Sequence, residues 1–242
     1  MKDLEQAEHF IFLEFFILGE GVMWNAVLEI LERKVKDGVE VRLIYDDVGS
    51  VFILPKDYHV TMERKGIHCV AFNRLVPFLA LVLNNRDHRK IVVIDGKVGY
   101  TGGINMADEY INYTHPHGDH WKDAGIRIEG DAVWNFTVMF LQMWNMARRT
   151  EEDYSGYRHH YTDRLDIAGF VQPYMDSPLD DETVGENVYL NMIGAARQYV
   201  YIYTPYLVTD NEMVTALKLA AKRGVDVRIV TPGTPDKKTI YW

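Results

Sequence analysis

One cysteine, Cys69, stands in 242 residues, so no internal disulfide can form. That fits a reducing compartment. No apolar run reaches the roughly 18 residues that a bilayer-spanning helix needs. The first strand pattern begins almost directly after Met1, so no signal peptide is expected. Positive charge is also scarce: 26 Lys and Arg against 35 Asp and Glu give a net charge of −9. Broad attraction to nucleic acid or to an anionic bilayer is therefore not expected, and any anion site must be local. At 48% apolar and 25% charged residues, the composition is that of a globular chain. Its length suffices for one large domain or two small ones.

What is present is a repeat. The first copy runs HFIFLEFFIL, a helical pattern from about Val22 to Asp37, Gly38 and VEVRLIYDD. The second runs QYVYIYTPYL, a helical pattern from about Asn211 to Arg223, Gly224 and VDVRIVTP. Each glycine suits the left-handed position after a helix C-terminus, and Asp210 is placed to cap the second helix. Strand, helix and strand joined this closely predict a parallel pair with a right-handed crossover. Any two such units look broadly alike. The shared Gly-Val-acid-Val-Arg-aliphatic string favours duplication. Between the copies, Asp131 to Arg149 is apolar all round and predicts a buried helix. The stretch from Thr150 to Pro178 reads as a crossover linker, with a short strand over 167–171.

The stretch DHRKIVVIDGKVGYTGGIN, Asp87 to Asn105, predicts a hairpin. A short β-branched strand ends at the turn signal Asp95-Gly96, and a second strand follows from Lys97 to Gly102. Alternation puts His88 and Lys90 on one face and Arg89 on the other. A neutral imidazole beside an ammonium is a nucleophile or base next to an anion clamp, which suits phosphate. Taken singly, each residue has a plainer account. His88 could be a solvated filler, Lys90 an edge-strand shield and Gly102-Gly103 loop punctuation.

Together, His88, Lys90 and Asp95 in the spacing H-x-K-x4-D, followed by Gly102-Gly103-Ile104-Asn105, resemble the signature of the phospholipase D superfamily. The usual ending is G-S-x-N, and Gly103 replaces the serine. In this the chain is similar to the first motif of bacterial cardiolipin synthases, and the flank HWKDAGIRIEGDAVW strengthens the likeness. The resemblance implies an α/β fold: a mixed sheet flanked by helices, duplicated, with the second copy truncated. Residues 1–150 would form the first half, 151–182 a linker and 183–242 the start of the second half. If the copies match, a second histidine would fall near position 274, past Trp242.

The resemblance further implies phosphatidyl transfer between two phosphatidylglycerol molecules, giving cardiolipin and glycerol through a phosphohistidine. His88, Lys90 and Asp95 would be the catalytic set, with Asp95 fixing the turn and balancing charge. Asn105, with Gly102 and Gly103, would bind the phosphate. No metal or cofactor is implied. The expected partner is phosphatidylglycerol in an anionic phospholipid membrane, with the family's membrane helices lying outside this chain; nucleic acid is not expected. A fragment of this kind should be inactive alone and open to self-association. Two other readings stand: a phosphodiesterase or nuclease completed by dimerisation, and a non-catalytic fragment.

Further candidates lie outside the motif. Glu14 interrupts an apolar strand. It can orient a histidine, bind a glycerol hydroxyl or serve as a strand-end carboxylate; Thr204-Pro205-Tyr206 sits at the matching place of the second copy. Asp46 and Asp47 read as helix or loop caps. The loop HPHGDHWKD offers His115, His117, Asp119 and His120, but in no standard zinc spacing. It reads as a polar rim of the site. Leu75 to Leu83 reads as core or as a wall of an acyl-chain entrance.

Overall fold

The computed structural model describes residues 1–74, 85–115, 120–161, 169–177 and 181–233. The chain divides into two compact units, Met1–Pro173 and Tyr174–Trp242. The first is built on a six-stranded mixed sheet in the order β3-β2-β1-β4-β5-β6. Its strands are β1 (Phe10–Phe15), β2 (Glu40–Asp46), β3 (His68–Phe72), β4 (Lys90–Ile94), β5 (Val98–Gly102) and β6 (Gly125–Glu129). β1, β2 and β3 run parallel, while β4, β5 and β6 continue antiparallel from β1. The change of direction falls between β1 and β4, so the start of β4 lies beside the C-terminal end of β1.

All six residues of β1 are buried because both faces of the sheet are covered. Ile11, Leu13 and Phe15 face a core completed by helix α2 (Val22–Lys36) and helix α4 (Tyr58–Arg64), through Trp24, Val27, Ile30, Leu31, Tyr58 and Met62. We number the short Lys2–Glu5 and Asp47–Ser50 helices α1 and α3. The other face meets α5 (Val133–Arg148), where Phe12 stacks on Phe140 with ring centroids 4.6 Å apart. The expected all-round apolar helix is thus found. Its aromatic residues fill the sheet's second face.

The segment expected as a linker begins by completing this unit. Arg42, on β2, lies over Phe12, Trp144 and Tyr157. It donates to Glu152 at 2.5 Å and to the Tyr157 hydroxyl at 2.5 Å. A buried guanidinium needs such partners, and residues beyond α5 supply them. Of the short strand expected over 167–171, the described residues 169–171 form none. The segment 75–83 lies outside the described residues.

The second unit pairs β7 (Tyr199–Tyr203) with β8 (Asp226–Val230) in parallel, and packs α6 (Val184–Ala195) and α7 (Asn211–Lys222) on one face. Asp210 accepts from Met213 N–H at 2.8 Å, the expected cap of α7. Gly38 and Gly224 end the two crossover helices at φ +88° and +90°, a conformation that costs glycine least.

Candidate functional site

The hairpin forms, with one difference. Asp95 is at φ 52° and Lys97 N–H closes on Ile94 O at 2.9 Å, but Ile94 pairs with Val98, so the loop has three residues. β4 starts at Lys90, so His88 precedes the ladder. Register decides the faces. Lys90 is opposite Phe15 and Ile91 opposite Glu14. Lys90 therefore shares the α2 side with Phe15, while Glu14 shares the α5 side with Phe12.

Phe16 is the common neighbour of the two motif residues. Its ring lies 4.8 Å from the His88 ring, and Lys90 Nζ sits 5.4 Å from its centroid. Lys90 Nζ also donates to His88 O at 2.5 Å. Arg89 goes the other way: its Nε is 2.7 Å from Glu14 Oε1 and 3.2 Å from Asp87 Oδ1. Burial lowers the Lys90 pKa to about 8, against the pull of Asp87 and Asp123. A cation in that state releases its proton readily and is weakly solvated, which suits a pocket for an anion.

Asn105 reaches the same end of β1. Its side chain is buried, and Oδ1 accepts from Ile17 N–H at 3.0 Å, one residue past Phe16. The Tyr110 hydroxyl bonds to it; burial, the larger effect, raises that phenol to about 12. Tyr110 packs on Trp121, which exchanges two hydrogen bonds with Asn112. The described part of the histidine loop thus forms an aromatic and polar border beside Asn105. His115 and His120 meet edge to face with centroids 4.6 Å apart. His117 and Asp119 lie outside the described residues.

The glycines have steric reasons. A Cβ at Gly102 would meet Ala124 O at 2.4 Å and Gly125 Cα at 2.7 Å, so β5 and β6 could not pair there. A Cβ at Gly103 would lie 2.2 Å from Asp123 Oδ1. The glycine that replaces serine therefore leaves the space in which the Asp123 carboxylate sits.

Asp95 stands at the far end of β4, about 16 Å along the strand from Lys90. Its carboxylate is buried and accepts from the backbone N–H groups of Glu8, His9 and Phe10 at 2.8–2.9 Å. It ties the hairpin to the start of β1. Glu14 is fully buried. In the repeat's register Tyr203, rather than Thr204-Pro205-Tyr206, takes the place of Glu14. Asp46 caps Gly49 N–H at 3.0 Å and also anchors the motif segment through Arg86 and Asp87 N–H.

Three residues near the motif escape a reading of the sequence: Phe16, Tyr110 and Asp123. Phe16, an aromatic in an apolar run, reads as core, and Tyr110 and Asp123 are distant in sequence from His88 and Phe16. The only signal for Asp123 is its place in the HWKD flank.

A family model described as "Cardiolipin synthase, PLD-like domain" matches residues 1–144 and 189–241. The chain is 51% identical over 240 residues to an "uncharacterized protein" of Streptococcus mutans, covering 99% of this chain and 52% of that one. It is 38% identical over 246 residues to a cardiolipin synthase of a Geobacillus species, covering 100% and 48%. It is 36% identical over 245 residues to cardiolipin synthase 2 of Staphylococcus epidermidis, covering 100% and 49%. The chain thus spans about half the length of the curated relatives it matches. Among solved structures it resembles the phosphatidylserine synthase of Haemophilus influenzae, with TM-score 0.67, 12% identity, and coverage of 95% and 57%. That likeness concerns the fold.

Proposed function

Since this chain belongs to the cardiolipin synthase family of phospholipase D-like proteins, we propose that it carries one half of a phosphatidyltransferase site. The observation that carries the reading is the juxtaposition of His88, Lys90 and Phe16 at the C-terminal end of β1. Crevices outside the carboxyl ends of strands, where the strand order reverses as it does between β1 and β4, are common ligand sites.

The substrate is phosphatidylglycerol, and the place of action is the surface of an anionic phospholipid membrane. No helix among the described residues is long and apolar enough to cross a membrane. One histidine of a pair attacks phosphorus, and the P–O bond to glycerol breaks. The other histidine gives the departing oxygen its proton. It then takes the proton from the hydroxyl of a second phosphatidylglycerol, whose oxygen displaces the histidine and gives cardiolipin. His88 is one of the two. Lys90 and Asn105 hold the non-bridging oxygens, where negative charge grows in the transition state. The charges of Asp87 and then Asp123 act on Lys90 and balance its own. Asp95 contributes by fixing the hairpin.

The test is cardiolipin and glycerol formation from phosphatidylglycerol by a polypeptide of its relatives' length that contains this sequence. His88→Gln should lower the rate by at least ~10²-fold. The 242-residue chain alone should form no cardiolipin, because it supplies one histidine of the pair. Turnover by this chain that rises with the square of its concentration would favour a site shared by two copies. Turnover independent of concentration would overturn the two-histidine reading.

A further inference from the structure

The segment that carries His88 is held from its far side by carboxylates. Glu14, Asp46 and Asp87 are all buried, with exposures of 0%, 0% and 3%. Two guanidinium groups face them. Arg86 Nη1 is 3.2 Å from Asp46 Oδ1. Arg89 Nε lies 2.7 Å from Glu14 Oε1, but donates its hydrogen to Asp87 Oδ1 at 3.2 Å. Asp87 N–H donates to Asp46 Oδ2 at 3.0 Å.

Arg89 Nε lies within 2.7 Å of Glu14 Oε1 and 3.2 Å of Asp87 Oδ1, so the two carboxyl groups crowd one guanidinium nitrogen. The Arg89 Nε–H is directed at Asp87 Oδ1, and among the described residues no other donor reaches either oxygen of Glu14 or Oδ2 of Asp87. A buried acceptor with no donor bears its full desolvation penalty. Two carboxylates this close and out of water cannot both ionise cheaply. One proton held between them resolves both problems. The charge then closes as well, with two net negative charges among three carboxyl groups facing two guanidiniums.

We propose that Glu14 and Asp87 share one proton as a carboxylic acid–carboxylate pair, and that this pair fixes the backbone on both sides of His88. Asp87 and Arg89 flank His88 and are both drawn to Glu14, so the imidazole is left on the opposite side, against Phe16. Glu14 is a positioning residue and acts through Arg89 and Asp87. The pair stands on the buried carboxyl oxygens that no N–H is aimed at and on the Arg89 nitrogen they crowd; its service to His88 rests on the phosphohistidine reading above. Burial, and then the charge of Asp87, hold the Glu14 carboxyl well above the usual range, with Arg89 pulling the other way. The remaining charged groups around it are Asp46 at the end of β2, Arg86 on the His88 segment, and Lys90, which feels the charges of Asp87 and Asp123.

The experiment is denaturant unfolding of the 242-residue chain across pH. The folded chain keeps a proton that the unfolded chain releases above the ordinary glutamate value of 4.5. Folding therefore binds a proton. The stabilisation is fully present below that value and is lost as pH rises towards the folded value. The folding equilibrium constant of the wild type, divided by that of Glu14→Gln, should fall about tenfold per pH unit in this window. The amide introduced by Glu14→Gln keeps the shape and offers Asp87 a permanent donor. Asp87→Asn removes the neighbouring charge and should shift the fall to lower pH. Parallel profiles for wild type and Glu14→Gln would overturn the shared proton, as would an unmoved fall in Asp87→Asn. Positioning is read from the His88 imidazole resonance. Glu14→Gln should leave it in place and Glu14→Ala should move it; an unmoved signal in Glu14→Ala would overturn the positioning role. Neither measurement uses phospholipid, so this proposal and the proposed reaction fail separately.

Discussion

β1–β2 and β7–β8 are the same object in two settings. In each, a parallel pair sets an aromatic opposite an arginine: Phe12 opposite Arg42, and Tyr201 opposite Arg228. In each, the guanidinium lies over that ring, at 5.3 and 5.1 Å. In each, it pairs with the acid two residues earlier, Glu40 or Asp226. What differs is the cover. In the first unit, Phe140 and Trp144 of α5, with Glu152 and Tyr157, enclose the trio. In the second, Tyr199, Tyr201 and Tyr203 remain 61%, 48% and 80% exposed. The strand sequence builds the arginine–aromatic contact by itself. Only the helix laid over it changes the medium in which the charge sits, and with it the energy at stake.

That contrast gives the largest expected effect. Arg42→Ala should destabilise the first unit by ~3–5 kcal/mol, because it leaves Glu40 and Glu152 half-buried without a cation. Arg228→Ala should leave the denaturation midpoint of the second unit unchanged, since water already solvates its partner. Equal losses in the two variants would break the comparison.

A second effect sharpens it. Of the two units, the first carries the lysine whose proton is loosely held. Burial lowers Lys90 to about 8, so binding of inorganic tungstate, a phosphate mimic, should weaken towards tenfold per pH unit above about pH 8. Lys90→Met should bind weakly at every pH. The same shift makes folding easier as pH rises from about 8 towards the unfolded value of 10.5, because the buried ammonium is then discharged. Calorimetric titration across pH checks the first outcome, and a wild-type tungstate profile that stays flat from pH 7 to about 10 would remove Lys90 as the clamp.

The smallest effect concerns the helix starts. α7 is capped by its own Asp210. α2 begins after Gly21, and its Val22 and Met23 N–H groups donate to Asp108, at 2.9 and 2.8 Å. A Cβ at Gly21 would meet that carboxylate at 2.5 Å. Asp210→Ala should cost about 1 kcal/mol and Asp108→Ala about 1–2 kcal/mol. Amide exchange should locate the first loss in α7 alone and the second in both α2 and the Asp108–Ile111 turn. A loss from Asp108→Ala confined to that turn would show that α2 needs no distant cap.

The sequence alone determined whatever rests on neighbours a few residues apart. Strand–helix–strand repeats follow from short-range periodicity and a terminal glycine, the α7 cap from Asp210, and the hairpin from Asp95-Gly96; His88 and Lys90 meet through Phe16, since His88 precedes the strand on which alternation would place it. The tertiary structure decided what depends on contacts across long loops. It placed Asp95 under the amides of Glu8, His9 and Phe10, sent Asp108 to the start of α2, and brought Asp123 into the space beside Gly103. It also turned Glu14 inward to Arg89 and Asp87. A carboxylate in a sequence reads the same whether it will meet water, an amide or another carboxylate. Its chemistry is set by the groups that the folded chain packs around it, and burial makes those groups count.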